Sequence, residues 1–300
     1  MDFPLLTEAK VIISKYLHQL GLKLVSTSIQ DVLRSYFNLK HKIISQQRRE
    51  VFLSAGLITK AVELNLDNVL EVITQKFVNG DDVNPFLSKG ILRLEDHDYL
   101  LNDWGIHHLH LNLNKNKSDE YFNQRSNQLL FVHVTDEKAY FIDIRPHHEE
   151  YVFAQRDLLR AVRDNWPDLN VKFLVREEEM EVFPKFDESD IVLMRRKGYM
   201  FFTQVDKHAY MPGLGSACSG FSVKASLEMD EFCRQLYKVH CYIQEHEEEL
   251  KYRFSLTPGK PLQNMRIGLA FKDWMFYFCE LNTQRLVDID VSDYQLPSKL

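Results

Sequence analysis

The amino-acid sequence predicts an α+β protein: a helical N-terminal region, a central antiparallel sheet with flanking helices, and a C-terminal α+β region built on a long helix. Three observations point there. Apolar residues recur at helical spacing in the first 60 residues and again over 227–250. Short apolar or alternating runs cluster at 106–113, 129–134 and 139–145, and again at 264–272 and 274–281. Strands and helices come in groups rather than in strict βαβ alternation, which favours α+β over α/β.

The elements follow in order. Residues 8–20 carry Val11, Ile12, Tyr16, Leu17 and Leu20 at helical spacing and stop at Gly21. A second helix starts at Ser28, with Asp31 three residues on in a capping-box-like position and Val32, Leu33, Tyr36 and Phe37 as its apolar face. The basic stretch 40–50 reads as a solvated connection. A helix over 66–77 places Leu66, Val69, Leu70 and Ile73 on one side, and the turn-forming residues of 79–90 make an ordered loop that buries Phe86 and Leu87. Between the strand runs 129–134 and 139–145, the tetrapeptide 135–138 reads as a hairpin turn. A helix over 154–165 ends where Pro167 restricts Trp166. The last third holds a strand at 199–206, a Gly/Ser loop at 212–220, a helix over 227–250 and two closing strands. Acidic clusters and Pro184 mark a boundary near 170–190. The expected division is therefore 1–60, 61–175 and 185–300.

The bulk numbers limit the function. At 300 residues the chain can bury a sizeable core. A formal charge of −6 supplies no overall basic footprint for nucleic acid, so any such contact needs a local basic patch. No run approaches the ~18 apolar residues of a membrane span, and Lys10 and Lys15 interrupt the N-terminal run in a way a signal peptide would not. Cys218, Cys233, Cys241 and Cys279 are scattered, with no C-x-x-C pair, and read as reduced thiols of a cytoplasmic protein.

The histidines are the one concentrated chemical signal. Seven of the 12 lie between His97 and His148: His97, His107, His108, His110, His133, His147 and His148. Strand alternation puts His108 and His110 on one face, pointing away from the core, and His107 at the edge of the apolar face. If the following hairpin has an odd-length turn with a bulge, His133, Asp143 and Arg145 share the face of His108 and His110, with His147 at the rim and Arg125 in the preceding loop. Histidine titrates near neutrality, so paired histidines can serve as base and acid, and arginine can hold a phosphate. The expected site is therefore catalytic His108, His110, His133 and His147, with substrate held by Arg125, Asp143 and Arg145. No metal ligand and no cofactor are assigned. A metal site on the same histidines, and a structural or partner-binding face without chemistry, are the alternatives.

The segments "GIHHLHLN", "QLLFVHV" and "AYFIDIRPHHEEYVF", followed by the helix over 154–165, resemble in their order the core of RelE/HigB/ParE-like toxins, over residues 60–165. Pro146, His147 and His148 look like the position of that family's "GHR". The resemblance implies a toxin- or defence-type endoribonuclease, with His108, His110, Arg125, Arg145 and His147 lining an RNA face. RNA or the ribosome, an inhibitor or antitoxin, and a second copy of the chain are the partners it suggests. A non-catalytic binding or antitoxin-like protein, or a metal-dependent hydrolase, would be the other functions of such a chain. Two further stretches are weaker: "MPGLGSACSG" (211–220) lacks the Gly-Lys-Ser/Thr of a phosphate loop and reads as a plain loop. "KDWMFYF" (272–278) reads as a buried strand, with a dimer or stacking surface as its sharper interpretation.

Overall fold

In the computed structural model, residues 3–24, 26–93, 97–117, 119–176, 178–213, 215–216, 221–255, 259–287, 289 and 291 are described. The elements, in chain order, are α1 (Pro4–Gln19), α2 (Ile29–Lys42), β1 (Glu50–Leu53), α3 (Leu57–Glu63), α4 (Asp67–Asn79), α5 (Tyr99–Trp104), β2 (Ile106–His110), β3 (Lys115–Asn116) and β4 (Asp119–Asn123). Then come β5 (Gln128–Val134), β6 (Lys138–Pro146), α6 (Asp157–Asn165), α7 (Pro167–Val171), α8 (Glu188–Arg196), β7 (Thr203–Val205) and β8 (His208–Tyr210). α9 (Val223–Glu245), α10 (Glu247–Arg253), β9 (Ile267–Lys272), β10 (Met275–Glu280) and β11 (Arg285–Leu286) complete the elements of the described residues. Short 3-10 turns at Asn84–Phe86 and Lys89–Leu92 occupy the expected loop. The fold is α+β. Among the described residues no helix is long and apolar enough to cross a membrane.

The chain divides into two compact units, and the division corrects the three-part expectation of 1–60, 61–175 and 185–300. One unit joins Met1–Lys40 to Ala225–Leu300; the other is His41–Lys224. The N-terminal helices bury their apolar faces against the C-terminal hairpin, while residues 41–60 give a strand and a helix to the central sheet.

In the first unit α1 begins at Pro4, earlier than the periodicity suggested, and its buried stripe is offset from the expected one. Leu5, Leu6, Ala9, Ile13 and Leu17 are buried, whereas Val11 is 47% exposed. Proline at the first helical position lacks only an N–H that would have had no partner. At the start of α2 the expected cap forms: the Asp31 amide donates to Ser28 Oγ at 3.1 Å and Ser28 Oγ donates to Asp31 at 2.7 Å. Tyr36 on α2 meets Trp274 with ring centroids 5.6 Å apart and donates to the Trp274 carbonyl at 2.6 Å. That contact explains an unusual turn. Asp273 and Trp274 have φ of 51° and 63°, the paired left-handed conformation of a two-residue hairpin loop. Packing of the Trp274 ring on Tyr16 and Tyr36 offsets the backbone strain. In "KDWMFYF", Phe276 also packs on Phe232 at 5.0 Å, but Met275 is 52% exposed, so the strand is not buried throughout. The helix expected over 227–250 is two, α9 and α10, broken at His246. Cys233, Cys241 and Cys279 are free thiols; Cys218 lies outside the described residues.

The second unit is built on a four-stranded sheet of order β1-β6-β5-β2. β1, which begins at the end of the expected connection and lies in a region read as helical, instead pairs parallel with β6, from Glu50↔Lys138 to Leu53↔Phe141. The other pairings are antiparallel, so the sheet is mixed. Buried Arg49 anchors the entry to β1, donating from Nε to the Thr135 carbonyl at 2.7 Å and from Nη1 to the Ser45 carbonyl at 2.8 Å. Both faces of the sheet are covered. Leu109, Leu130, Val132, Phe141 and Ile144 pack with Leu57 of α3 and Leu70, Ile73 and Phe77 of α4. On the opposite face Ile106, Leu129, Phe131 and Ile142 pack with Leu100 and Trp104 of α5 and Leu158, Leu159 and Val162 of α6. In place of a strand over 199–206 there is the short hairpin β7–β8.

Gly80, which ends α4, sits at φ +81°, and a Cβ there would lie 2.8 Å from the Arg48 amide nitrogen and 2.9 Å from the Gln47 carbonyl carbon. Both the left-handed backbone and the close approach require glycine. Gly80→Ala is expected to destabilise the protein by about 1–3 kcal/mol in urea unfolding, whereas Gly21→Ala, with open space around its Cβ, should cost less.

Candidate functional site

The hairpin register that the sequence left open is settled by a bulge inside β6. Phe131 pairs with Asp143 and Val132 with Phe141, so β6 carries one extra residue, and Ile142 and Asp143 both oppose Phe131. The pairs His108↔Phe131, His110↔Leu129 and Leu129↔Arg145 then place His108, His110, His133, Asp143 and Arg145 on one face, as expected, although the turn between Val134 and Ala139 is of even length and the extra residue lies within β6 instead. That face is buried rather than solvent-facing, which corrects the expectation. Alternation along β2 alone is silent about the neighbouring strand, where Leu129 and Phe131 require cover.

Burial separates the expected residues into two groups. His110 is 3% exposed and accepts a hydrogen bond at Nδ1 from the Ser126 amide at 3.2 Å. Burial pushes its pKa down to about 4, with His108, His147 and Arg125 adding positive charge nearby. His133 is also buried, opposite Ile106 and against Gly105, and burial followed by the Lys172 charge takes it to about 4. His107, on the other face, falls to about 3, chiefly through burial. These three are neutral core histidines at physiological pH. Asp143 accepts from Lys60 at 2.7 Å and from Arg145 Nε at 2.8 Å, and Arg145 also reaches Glu149 at 3.5 Å. Asp143 and Arg145 are thus committed to a structural ion network and do not line the pocket.

His108 and His147 behave differently. Both line a pocket of about 510 Å³, together with Lys42, His97, Asp98, Tyr99, Glu149, Phe153 and Arg196. The volume is that of a small-molecule site. Asp98 Oδ2 lies 3.9 Å from His108 Nδ1, which makes no hydrogen bond. The rings of His108 and His147 both pack on Phe153, with centroids 5.0 and 6.3 Å away. His110 stacks on His147 at 5.6 Å and lies 6.5 Å from His108, backing both. Burial lowers the His147 pKa, and His148, His108 and Arg125 reinforce the shift. Arg125 is exposed and reaches Ser88 Oγ, a pocket-lining group, at 3.5 Å, so it stands at the rim.

A buried ion pair holds this wall in place. Arg195 on α8 donates from Nε to Asp103 Oδ2 at 2.7 Å and from Nη1 to the Phe153 carbonyl at 2.7 Å. It therefore ties α5, α8 and the segment carrying Phe153. The α8 N-terminus is fixed by a capping box between Asp187 and Asp190.

The pocket residues His97, Asp98, Tyr99, Phe153, Lys42, Arg195 and Arg196 were not foreseen. One signal was available for Asp98. It caps α5 by accepting from the Leu101 amide at 3.1 Å, and Gly105 ends that helix at φ +67°. An Asp at the start and a Gly at the end of "DYLLNDWG" mark a short helix. Among the described residues no three His, Cys, Asp or Glu side chains converge as a metal set.

No family model, curated protein or solved structure matches this chain.

Two outcomes follow from these environments. The unfolded chain binds protons at His107, His110 and His133 below its ordinary pKa of about 6.5, and the folded chain does not until about pH 3–4. Stability is therefore greatest above pH 6.5 and falls as the pH drops towards 4, by about 2 kcal/mol per histidine at pH 5. Urea midpoints at pH 7.5 and 5.0 measure this, and His110→Asn should shrink the difference. Second, Arg195→Met leaves the buried Asp103 carboxylate without its partner and should cost about 3–5 kcal/mol. Adding Asp103→Asn should recover much of the loss.

Proposed function

We propose that the pocket of His108 and His147 is an acid–base site for metal-independent phosphodiester cleavage, and that the protein is an endoribonuclease of the toxin or defence type acting in the cytoplasm. The observation that supports this reading most is the convergence of two half-buried histidines from different segments in one pocket. Asp98 stands beside one of them, and Lys42 and Arg196 line the same pocket. The wider set of catalytic histidines expected from the sequence contracts here to two, because His110 and His133 are packed in the core.

The chemistry assigns each group a task. Neutral His147, its basic form favoured by burial and nearby positive charge, takes the proton of a ribose 2′-hydroxyl. The 2′-oxygen attacks phosphorus, the bond from phosphorus to the 5′-oxygen breaks, and protonated His108 supplies a proton to that leaving oxygen. The products are a 2′,3′-cyclic phosphate and a free 5′-hydroxyl. Asp98, its carboxylate 3.9 Å from His108 Nδ1, offsets the charge of a protonated His108. Arg196 and, at the rim, Arg125 offer positive charge to the transition-state oxygens.

The rival reading is a non-catalytic binding pocket. It draws on the commitment of His110, His133, Asp143 and Arg145 to the folded core, which leaves only His108 and His147 for chemistry. Incubation of purified protein with single-stranded RNA distinguishes the two. Wild type should cleave it without added metal, with a bell-shaped pH profile. His108→Ala and His147→Ala should each lower the rate by about 10²–10⁴-fold, with unfolding midpoints close to wild type. Cleavage unaffected by either change would remove the assignment.

A further inference from the structure

Beside the pocket lies a segment of which the acid–base assignment uses Arg196 alone: Arg195-Arg196-Lys197-Gly198-Tyr199-Met200-Phe201-Phe202. We propose that residues 196–202 form a binding track for single-stranded RNA, with Tyr199 and Phe202 stacking nucleobases and Arg196 and Lys197 contacting the phosphates on the pocket side of them. The proposal deepens the phosphodiester reading of the neighbouring pocket and rests on it.

Four observations support the track. Tyr199, Met200 and Phe202 are 59%, 57% and 41% exposed, a run of large apolar side chains left in water. Such exposure marks an interaction surface. Basic residues stand directly beside it. Arg195 is spent on Asp103 and the Phe153 carbonyl, but among the described residues neither Arg196 nor Lys197 makes an ion pair. The occupant should therefore carry negative charge as well as flat apolar faces, which describes an unpaired nucleic-acid strand.

Continuity with the pocket is the third observation. Arg196 lines the 510 Å³ pocket itself. A second cavity of about 60 Å³, lined by Tyr199, Met200 and Phe201, shares Tyr99 and Arg195 with it. A strand with its scissile phosphate between His108 and His147 would meet Arg196 on leaving the pocket and Tyr199 next.

The fourth is rigidity. Helix α8 ends with Gly198 at φ +71°; the Gly198 amide donates to the Arg195 carbonyl and the Tyr199 amide to the Met194 carbonyl, each at 3.0 Å. This pair of bonds is the Schellman arrangement, which fixes the direction in which the chain leaves the helix. Tyr199 thus projects from a turn whose backbone is fixed. The net charge of −6 required a local basic patch for any nucleic-acid contact, and this segment is one.

Fluorescence anisotropy with a labelled single-stranded oligoribonucleotide of about ten nucleotides tests the track. The full chain carrying His108→Ala is used so that the probe is not cut. Tyr199→Ala and Phe202→Ala should each weaken binding about ten-fold. Tyr199→Leu, which keeps apolar bulk without the ring, should weaken it comparably. Arg196→Ala with Lys197→Ala should lower the slope of log affinity against log salt by about 0.7 per lost phosphate contact. Duplex RNA should compete poorly. Equal affinities and salt slopes in all variants would overturn the proposal, as would failure of the parent protein to bind the probe. A dinucleoside monophosphate, which offers one scissile bond and no flanking strand, tests the pocket alone with wild type. Its cleavage without oligonucleotide binding removes the track and keeps the pocket reading. Oligonucleotide binding with the expected variant losses, but no cleavage, keeps the track and removes the chemistry.

Discussion

The burial of both faces of the β1-β6-β5-β2 sheet is the constraint on which the His41–Lys224 unit depends. A one-sided sheet would have left His108, His110, His133, Asp143 and Arg145 as an open polar face. With helices on both sides, each of these groups must find a partner or lose its charge, because an isolated charge in a poorly polarisable interior is expensive. His110 and His133 lose theirs, as does His107 on the opposite face. Asp143 and Arg145 find each other, with Lys60 and Glu149 completing the network. What remains for chemistry is the margin of that face, where His108 and His147 meet a cavity instead of a helix.

The bulge in β6 and the Arg195–Asp103 pair shape that margin. Without the extra residue, Asp143 and Arg145 would turn to the opposite face and meet the apolar side chains of α3 and α4. Without Arg195, Phe153 would lose the hydrogen bond that holds its backbone, and the ring on which both histidines rest would be free to move. Buried ion pairs are a weak source of net stability. Their value here is geometric: one guanidinium joins two helices and a loop that are far apart in sequence.

Much of the architecture was legible before the structure. Helix α4, strands β2, β5 and β6 and the closing hairpin β9–β10 fall close to their expected positions, because each carries a periodicity that a single segment displays. The capped start of α2 at Ser28 was legible for the same reason: its signal is local. β1 was not. The four residues Glu50–Leu53, at and just past the end of the basic stretch 40–50, carry too little pattern, and their strand conformation depends on pairing with β6, nearly 90 residues away. The shared face of His108, His110 and His133 was inferred through an assumed bulge, but its burial was not, since no segment states what packs on it.

The sequence by itself determined the α+β class, the concentration of histidine between positions 97 and 148, and the two faces of β2, because composition and period-two alternation are properties of short stretches. Only the tertiary structure decided that the first 40 residues belong with the last 76. It also decided that Asp98 faces His108 and that Arg196 opens onto the pocket that contains His147. These are long-range contacts between segments whose local patterns do not refer to one another. The difference in burial that separates the half-buried His108 and His147 from the buried His107, His110 and His133 exists only once those segments have packed.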